Sequence, residues 1–183
     1  RVHIPVPGKH MIYNALAAAC TGLALGLSLE EIQAGIAALR TIAGRTNLLQ
    51  TDSLLIIDDC YNANPISTMS SLDILATAKG RTVAVLGDMF ELGANEKELH
   101  YNTGAHASQD KIDIICCIGK LSKNTYDGAK AYAEGNSVLY FETKQEFLSK
   151  LPNVIKKGDT ILVKASHSME FPEIVETLQQ LKL

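Results

Sequence analysis

Three short stretches concentrate side chains of the types that could take part in chemistry. The first is Asp58-Asp59-Cys60-Tyr61-Asn62-Ala63-Asn64-Pro65, the second Gly87-Asp88-Met89-Phe90-Glu91-Leu92-Gly93, and the third Lys164-Ala165-Ser166-His167-Ser168. Between them they supply carboxylates, amides, hydroxyls, an ammonium and an imidazole, groups that bind oxygen-rich or zwitterionic ligands and move protons. Each also has an ordinary structural reading. Asn64 before Pro65 is a natural helix cap. Asp58 and Asp59 could be turn or capping carboxylates, Gly87 and Gly93 turn glycines, and Asp88 a solvated loop acid. Lys164 could simply reach from a strand end to water. The set rises above these readings because each stretch directly follows a short apolar run, at 54–57, 83–86 and 161–163. Three elements therefore deliver polar ends that can share one edge.

Several familiar chemistries lack their residues. A phosphate loop of the Gly-x-x-x-x-Gly-Lys-Ser/Thr type is absent: Gly119-Lys120 has Ile114 where the first glycine belongs and Leu121 in place of the hydroxyl. There is no GxGxxG after the first strand and no GxSxG elbow. Ser166 and His167 are adjacent on one loop, whereas triad members meet in space from separate parts of a chain. Cys20, Cys60, Cys116 and Cys117 form no CxxC pair, so no metal site is expected. They read as buried free thiols of a reducing compartment, with Cys116 and Cys117 on opposite faces of one strand. A net charge of −3 gives no electrostatic reason for nucleic-acid binding. No apolar run reaches the roughly 18 residues needed to cross a membrane. With 46% apolar and 20% charged residues, the 183-residue chain is an ordinary globular protein, long enough to bury a core.

The elements that must hold these residues follow from periodicity. An alanine-rich helix is expected over 10–25, broken by Gly26. A second helix is capped by Ser28, with Glu31 completing a capping box and Ile32, Ile36 and Leu39 as its apolar stripe. This hairpin is rich in small residues, which suits close packing onto something larger. From Gly44 the pattern changes. Apolar runs at 54–57, 83–86, 112–118, 138–141 and 161–163 read as buried strands, alternating with amphipathic helices at 66–79, 96–109, 121–134, 144–151 and 170–182. Strands without polar alternation, separated by helices, imply a parallel sheet covered on both faces. Residues 47–50 can add an antiparallel edge strand through the turn at 51–53. Asp110 reads as an exposed helix end. In such a sheet, ligands gather beyond the carboxyl ends of the strands, where the three polar stretches lie.

Gly8-Lys9-His10-Met11-Ile12-Tyr13-Asn14-Ala15-Leu16-Ala17-Ala18, Gly44-Arg45 and the three strand-end stretches together resemble the Mur ligases, and within them the type that adds D-alanyl-D-alanine. The resemblance runs over essentially the whole chain. It implies an α/β fold: a Rossmann-like, mostly parallel sheet at 46–183, preceded at 1–45 by a helical hairpin that ends the central ATP-binding domain. It implies an ATP-dependent ligase acting in the cytoplasm on UDP-N-acetylmuramoyl-tripeptide and D-Ala-D-Ala. ATP and Mg2+ are expected in the full-length enzyme and neither is expected to bind this chain tightly. A monomer is expected, with no nucleic-acid or membrane partner. By resemblance, Asn14, Arg45 and Asp59 meet the nucleotide, Tyr61, Asn62, Asn64, Glu91 and Ser166 meet substrate, and Lys164, Asp88 and His167 are the catalytic candidates. Two departures stand out. Met11 replaces the first asparagine of the helix motif, removing an amide. Ala165 and His167 stand where glycine and arginine are common, which puts an imidazole in place of a guanidinium at 167. The chain begins with Arg1 rather than Met and carries a hairpin without a body, as expected of an excised carboxy-terminal portion without activity of its own. The competing expectations are a free-standing nucleotide- or dipeptide-binding module and the closing domain of a folylpolyglutamate- or cyanophycin-type ligase.

Overall fold

Helix α1 (His10–Ala24) and helix α2 (Leu29–Ala37) form the hairpin the sequence predicts. The computed structural model describes residues 1–183, which divide into two compact units, Arg1–Ile42 and Ala43–Leu183. In the first unit, the Ser28 side chain accepts from the Glu31 backbone and the Glu31 carboxylate accepts from the Ser28 amide, closing the capping box. Gly22 lets the helices approach, since a Cβ there would come within 2.8 Å of Ile32. The unit buries little. Ile12, Leu16, Leu23, Leu25 and Leu29 are all exposed, and a groove of about 430 Å³ opens among Met11, Asn14, Ala18, Ile32, Ile36 and Leu39.

The second unit carries the sheet. Strands β1 (Asn47–Gln50), β2 (Leu55–Asp58), β3 (Thr82–Gly87), β4 (Ile114–Ile118), β5 (Ser137–Phe141) and β6 (Thr160–Lys164) line up as β1-β2-β6-β3-β4-β5. Only the β1–β2 pairing is antiparallel. The other helices are α3 (Pro65–Ala76), α4 (Glu96–Gln109), α5 (Ser122–Ala131), α6 (Lys144–Val154) and α7 (Pro172–Gln180). Leu72, Leu75, Ala107 and Ala129 of α3, α4 and α5 pack on one face of the sheet, and Phe147, Leu151, Ile174 and Leu178 of α6 and α7 on the other. Cys116 joins one core and Cys117 the other, as strand alternation requires. Helices α4 and α5 approach backbone to backbone, because a side chain on Gly104 would run into the Thr125 carbonyl and one on Gly128 into that of Tyr101.

Element ends differ from expectation where side chains take over the backbone. Strand β4 begins at Ile114 rather than 112, because Asp113 turns its carboxylate to the Thr82 amide and hydroxyl, at 2.8 and 2.9 Å. The last helix begins at Pro172 rather than 170. His167–Met169 forms a 3-10 turn and Glu170 is left-handed, φ 53°, before the helix can start. Asp110 is not an exposed helix end: it lies half-buried, 3.2 Å from His106, which also contacts Asp73. Its carboxyl is pushed above the usual range by burial, an effect that His106 opposes and Asp73 reinforces.

The three polar stretches follow β2, β6 and β3, which are neighbours with β6 in the middle.

Candidate active site

The β2 end is built around two buried carboxylates. Asp58 Oδ2 accepts the Gly44 amide at 2.8 Å, and its Oδ1 accepts the Cys60 thiol at 2.9 Å. Burial first, and then Asp58, push the Cys60 thiol far up, so it supplies no thiolate at neutral pH. Asp59 accepts the Thr46 amide at 2.8 Å on one oxygen, and on the other the Ser71 hydroxyl and the Lys164 ammonium, each at 2.6 Å. Lys164 is 3% exposed and donates also to the carbonyls of Asn62 and Asp59, at 3.1 and 3.4 Å. Register explains the meeting: Asp58 lies opposite Val163 in the parallel β2–β6 pair, so the next residue of each strand emerges at the same edge. The Tyr61 amide donates to Gly44 O at 2.9 Å, which ties segment 44–46 against the loop after β2.

The β3 end is held just as closely. Asp88 Oδ1 accepts the amide and hydroxyl of Ser122, at 2.6 and 2.7 Å, and its backbone carbonyl accepts the Ser166 amide at 3.0 Å. The Phe90 amide donates to Ser166 Oγ at 2.9 Å, and the Met89 amide to His100 Nε2 at 3.0 Å. Gly87 is the last residue of β3 rather than a turn glycine. A Cβ there would lie 2.6 Å from both Ala165 and the Phe171 ring.

Above this buried floor stands an exposed rim. The Arg45 guanidinium lies 4.2 Å from the centroid of the Tyr61 ring, and Tyr61 and His167 meet at 5.6 Å with their planes tilted by 50°. Asn62, Phe90, Glu91, His167 and Ser168 are exposed around them. Glu91 sits in the left-handed region, φ 63°, a conformation uncommon for a non-glycine residue. A guanidinium stacked on a ring keeps its N–H edge for oxygen acceptors.

The sequence-derived candidates therefore fall into distinct positions. Arg45, Tyr61 and His167 come together on the surface. Asp59, expected at the nucleotide, and Lys164, a catalytic candidate, are paired with each other below it. Asp88 and Ser166 are buried and bind backbone and Ser122. Asn64 is the helix cap: its Oδ1 accepts the Ser67 amide at 2.9 Å, and Ser67 Oγ accepts the Asn64 amide. Asn62 turns its Oδ1 to the Ala63 amide. Asn14 belongs to the first unit, exposed on α1 with its amide 3.5 Å from Met11 Sδ. Thr46, Ser71, His100 and Ser122 were missed. Hydroxyls have too many ordinary uses to stand out in a sequence, although a histidine on the apolar side of α4, beside Thr103 and Gly104, was a usable signal.

Residues 44–167 match the family model described as Mur ligase, glutamate ligase domain. The chain belongs to the Mur ligase family. As a Mur ligase segment it is 38% identical over 178 residues to the UDP-N-acetylmuramoyl-tripeptide–D-alanyl-D-alanine ligase of Bacillus subtilis, covering 96% of this chain and 39% of that one. A crystal structure of MurF from Acinetobacter baumannii superposes with a TM-score of 0.90 at 32% identity, over 98% of this chain and 39% of that chain. The MurF ligase of Thermotoga maritima in complex with ADP matches at a TM-score of 0.77 and 27% identity, over 96% of this chain and 39% of that one. The chain thus spans about 39% of the length of these relatives, their carboxy-terminal part. No helix is long and apolar enough to cross a membrane.

Proposed function

We propose that this chain is the carboxy-terminal part of an ATP-dependent ligase that joins D-alanyl-D-alanine to UDP-N-acetylmuramoyl-tripeptide, and that it does not catalyse the reaction alone. The observation that carries the reading is the convergence of three strand-end stretches on one edge through the order β2-β6-β3, in a chain whose relatives carry that activity in their names. The reaction would take place in the cytoplasm, where four free cysteines are stable.

In this reaction the tripeptide's terminal carboxylate takes the γ-phosphoryl group of ATP, giving an acyl phosphate and ADP. The dipeptide amine attacks the acyl carbon, and an amide forms as phosphate leaves and the ammonium proton is lost. An acyl phosphate survives only if water is kept away, which is what a domain closing over it provides. Arg45 would direct its free N–H edge at nucleotide oxygens, and Asn14 its amide at the base. Glu91 would attract the dipeptide's ammonium, and Tyr61, Asn62 and His167 would line its path. Asp59 and Lys164 would act from beneath, fixing the backbone that presents Tyr61 and Asn62.

The donor set here does not suit Mg2+. Asp58, Asp59 and Asp88 each already accept two or more hydrogen bonds, so the ion and the phosphate loop belong to the portion of the ligase outside this chain. Phosphate release with tripeptide precursor, dipeptide and ATP tests the reading. The longer protein that carries this chain should turn over, and the chain alone should stay at background. Turnover by the isolated chain would refute the division of labour, and a longer protein that makes no pentapeptide would refute the activity.

A further inference from the structure

We infer that His100 is a positioning residue for the dipeptide site, acting through the backbone of residues 88–91; the inference rests on the ligase reading above. His100 is 0% exposed and lies on α4. Its two nitrogens face groups of opposite kind. Nδ1 lies 2.7 Å from the Glu96 carbonyl, which can only accept, and Nε2 lies 3.0 Å from the Met89 amide, which can only donate. One form of the ring satisfies both, the neutral imidazole with its proton on Nδ1. Met89 is followed by Phe90, whose amide is taken by Ser166 Oγ, and Asp88 before it accepts the Ser166 amide. Three successive residues of the loop are thereby pinned, by α4 on one side and by the loop after β6 on the other. What they carry to the surface is Glu91 in its left-handed conformation. His100 fixes where that carboxylate stands without touching anything that reacts.

The two nitrogens can be separated by substitution. In His100→Gln the side-chain oxygen takes the place of Nε2 and can still accept from Met89. In His100→Asn the amide takes the place of Nδ1, keeps the Glu96 bond and falls short of Met89. Exchange of the Met89 amide, followed in this chain, should remain slow in His100→Gln and accelerate at least tenfold in His100→Asn, while the β3 and β4 amides stay protected. In the full-length ligase, His100→Asn should raise the KM for D-Ala-D-Ala about tenfold, the consequence of a misplaced contact. The KM for ATP should stay within about twofold and His100→Gln should lie near the parent. Ser166→Ala frees the next amide of the same loop and should give the same selective rise. Unchanged Met89 exchange in His100→Asn overturns the inference. So does a fall in kcat with every KM moving together, or a dipeptide KM that Ser166→Ala leaves unmoved. A parent enzyme inactive on the dipeptide would refute the ligase reading instead, and the Met89 exchange would then decide alone whether His100 holds the loop.

Discussion

Asp59 and Lys164 show how a buried pair changes the meaning of a substitution. As strand-end residues read from sequence, each should be removable at about 1 kcal/mol, the toll of a typical point change. In the fold they form a 2.6 Å ion pair with side chains 11% and 3% exposed, and removing one partner strands the other charge. Asp59→Ala and Lys164→Ala should therefore each lose about 3–5 kcal/mol, with strong coupling in the double variant, as denaturant titrations would record. Tyr61→Ala and His167→Ala, at the exposed rim, should stay within about 0.5 kcal/mol of the parent, so activity lost in them reports on ligand contacts. The cysteines give a second, independent check. Burial pushes the Cys116 thiol up to about 12 and Cys117 well above its ordinary value, and Cys60 is driven up beside Asp58. Only Cys20 is exposed. A thiol reagent at neutral pH should label one cysteine in the native chain and four after unfolding. The inertness of Cys116 and Cys117 was legible, since adjacent residues in an apolar run must face two cores. The Asp59–Lys164 pair was not. Its members are 105 residues apart, and they meet only because β6 inserts between β2 and β3, an order that no local pattern encodes.

Segment 44–46 matters more than its length suggests. Gly44 and Thr46 donate their amides to Asp58 and Asp59, and Gly44 O accepts from Tyr61. The change of periodicity puts a boundary near 43–46, and the second compact unit starts at Ala43. A chain of 43–183 should fold cooperatively without the hairpin. One of 47–183 should lose about 3 kcal/mol or more, two charge-assisted hydrogen bonds at about 1.5–3 kcal/mol each. Equal stability of the two truncations would show that the segment is not part of the fold. Element type was readable throughout, because continuous apolar runs, Ser28 with Glu31 and Asn64 with Pro65 are signals carried by neighbours in sequence. The ends of β4 and α7 were not, because Asp113 and the turn at His167–Met169 are fixed by tertiary contacts.

Across the whole molecule, the two units differ in how complete they are. The second encloses its own core on both faces of a sheet. The first leaves Ile12, Leu16, Leu23 and Leu25 exposed and has an apolar groove lined by Met11, Ala18, Ile32, Ile36 and Leu39. The chain spans about 39% of the length of its relatives. The most direct test is the amine selectivity of the full-length protein. With ATP and UDP-N-acetylmuramoyl-tripeptide present, product formation is measured with D-Ala-D-Ala, L-alanine or D-glutamate as the incoming amine. The account predicts a kcat/KM for the dipeptide at least about a hundredfold above either single amino acid, a lower bound on the roughly 10⁴–10⁵ expected when a site that hydrogen-bonds the dipeptide's peptide group meets an amine lacking it. Equal or greater use of L-alanine or D-glutamate would contradict it.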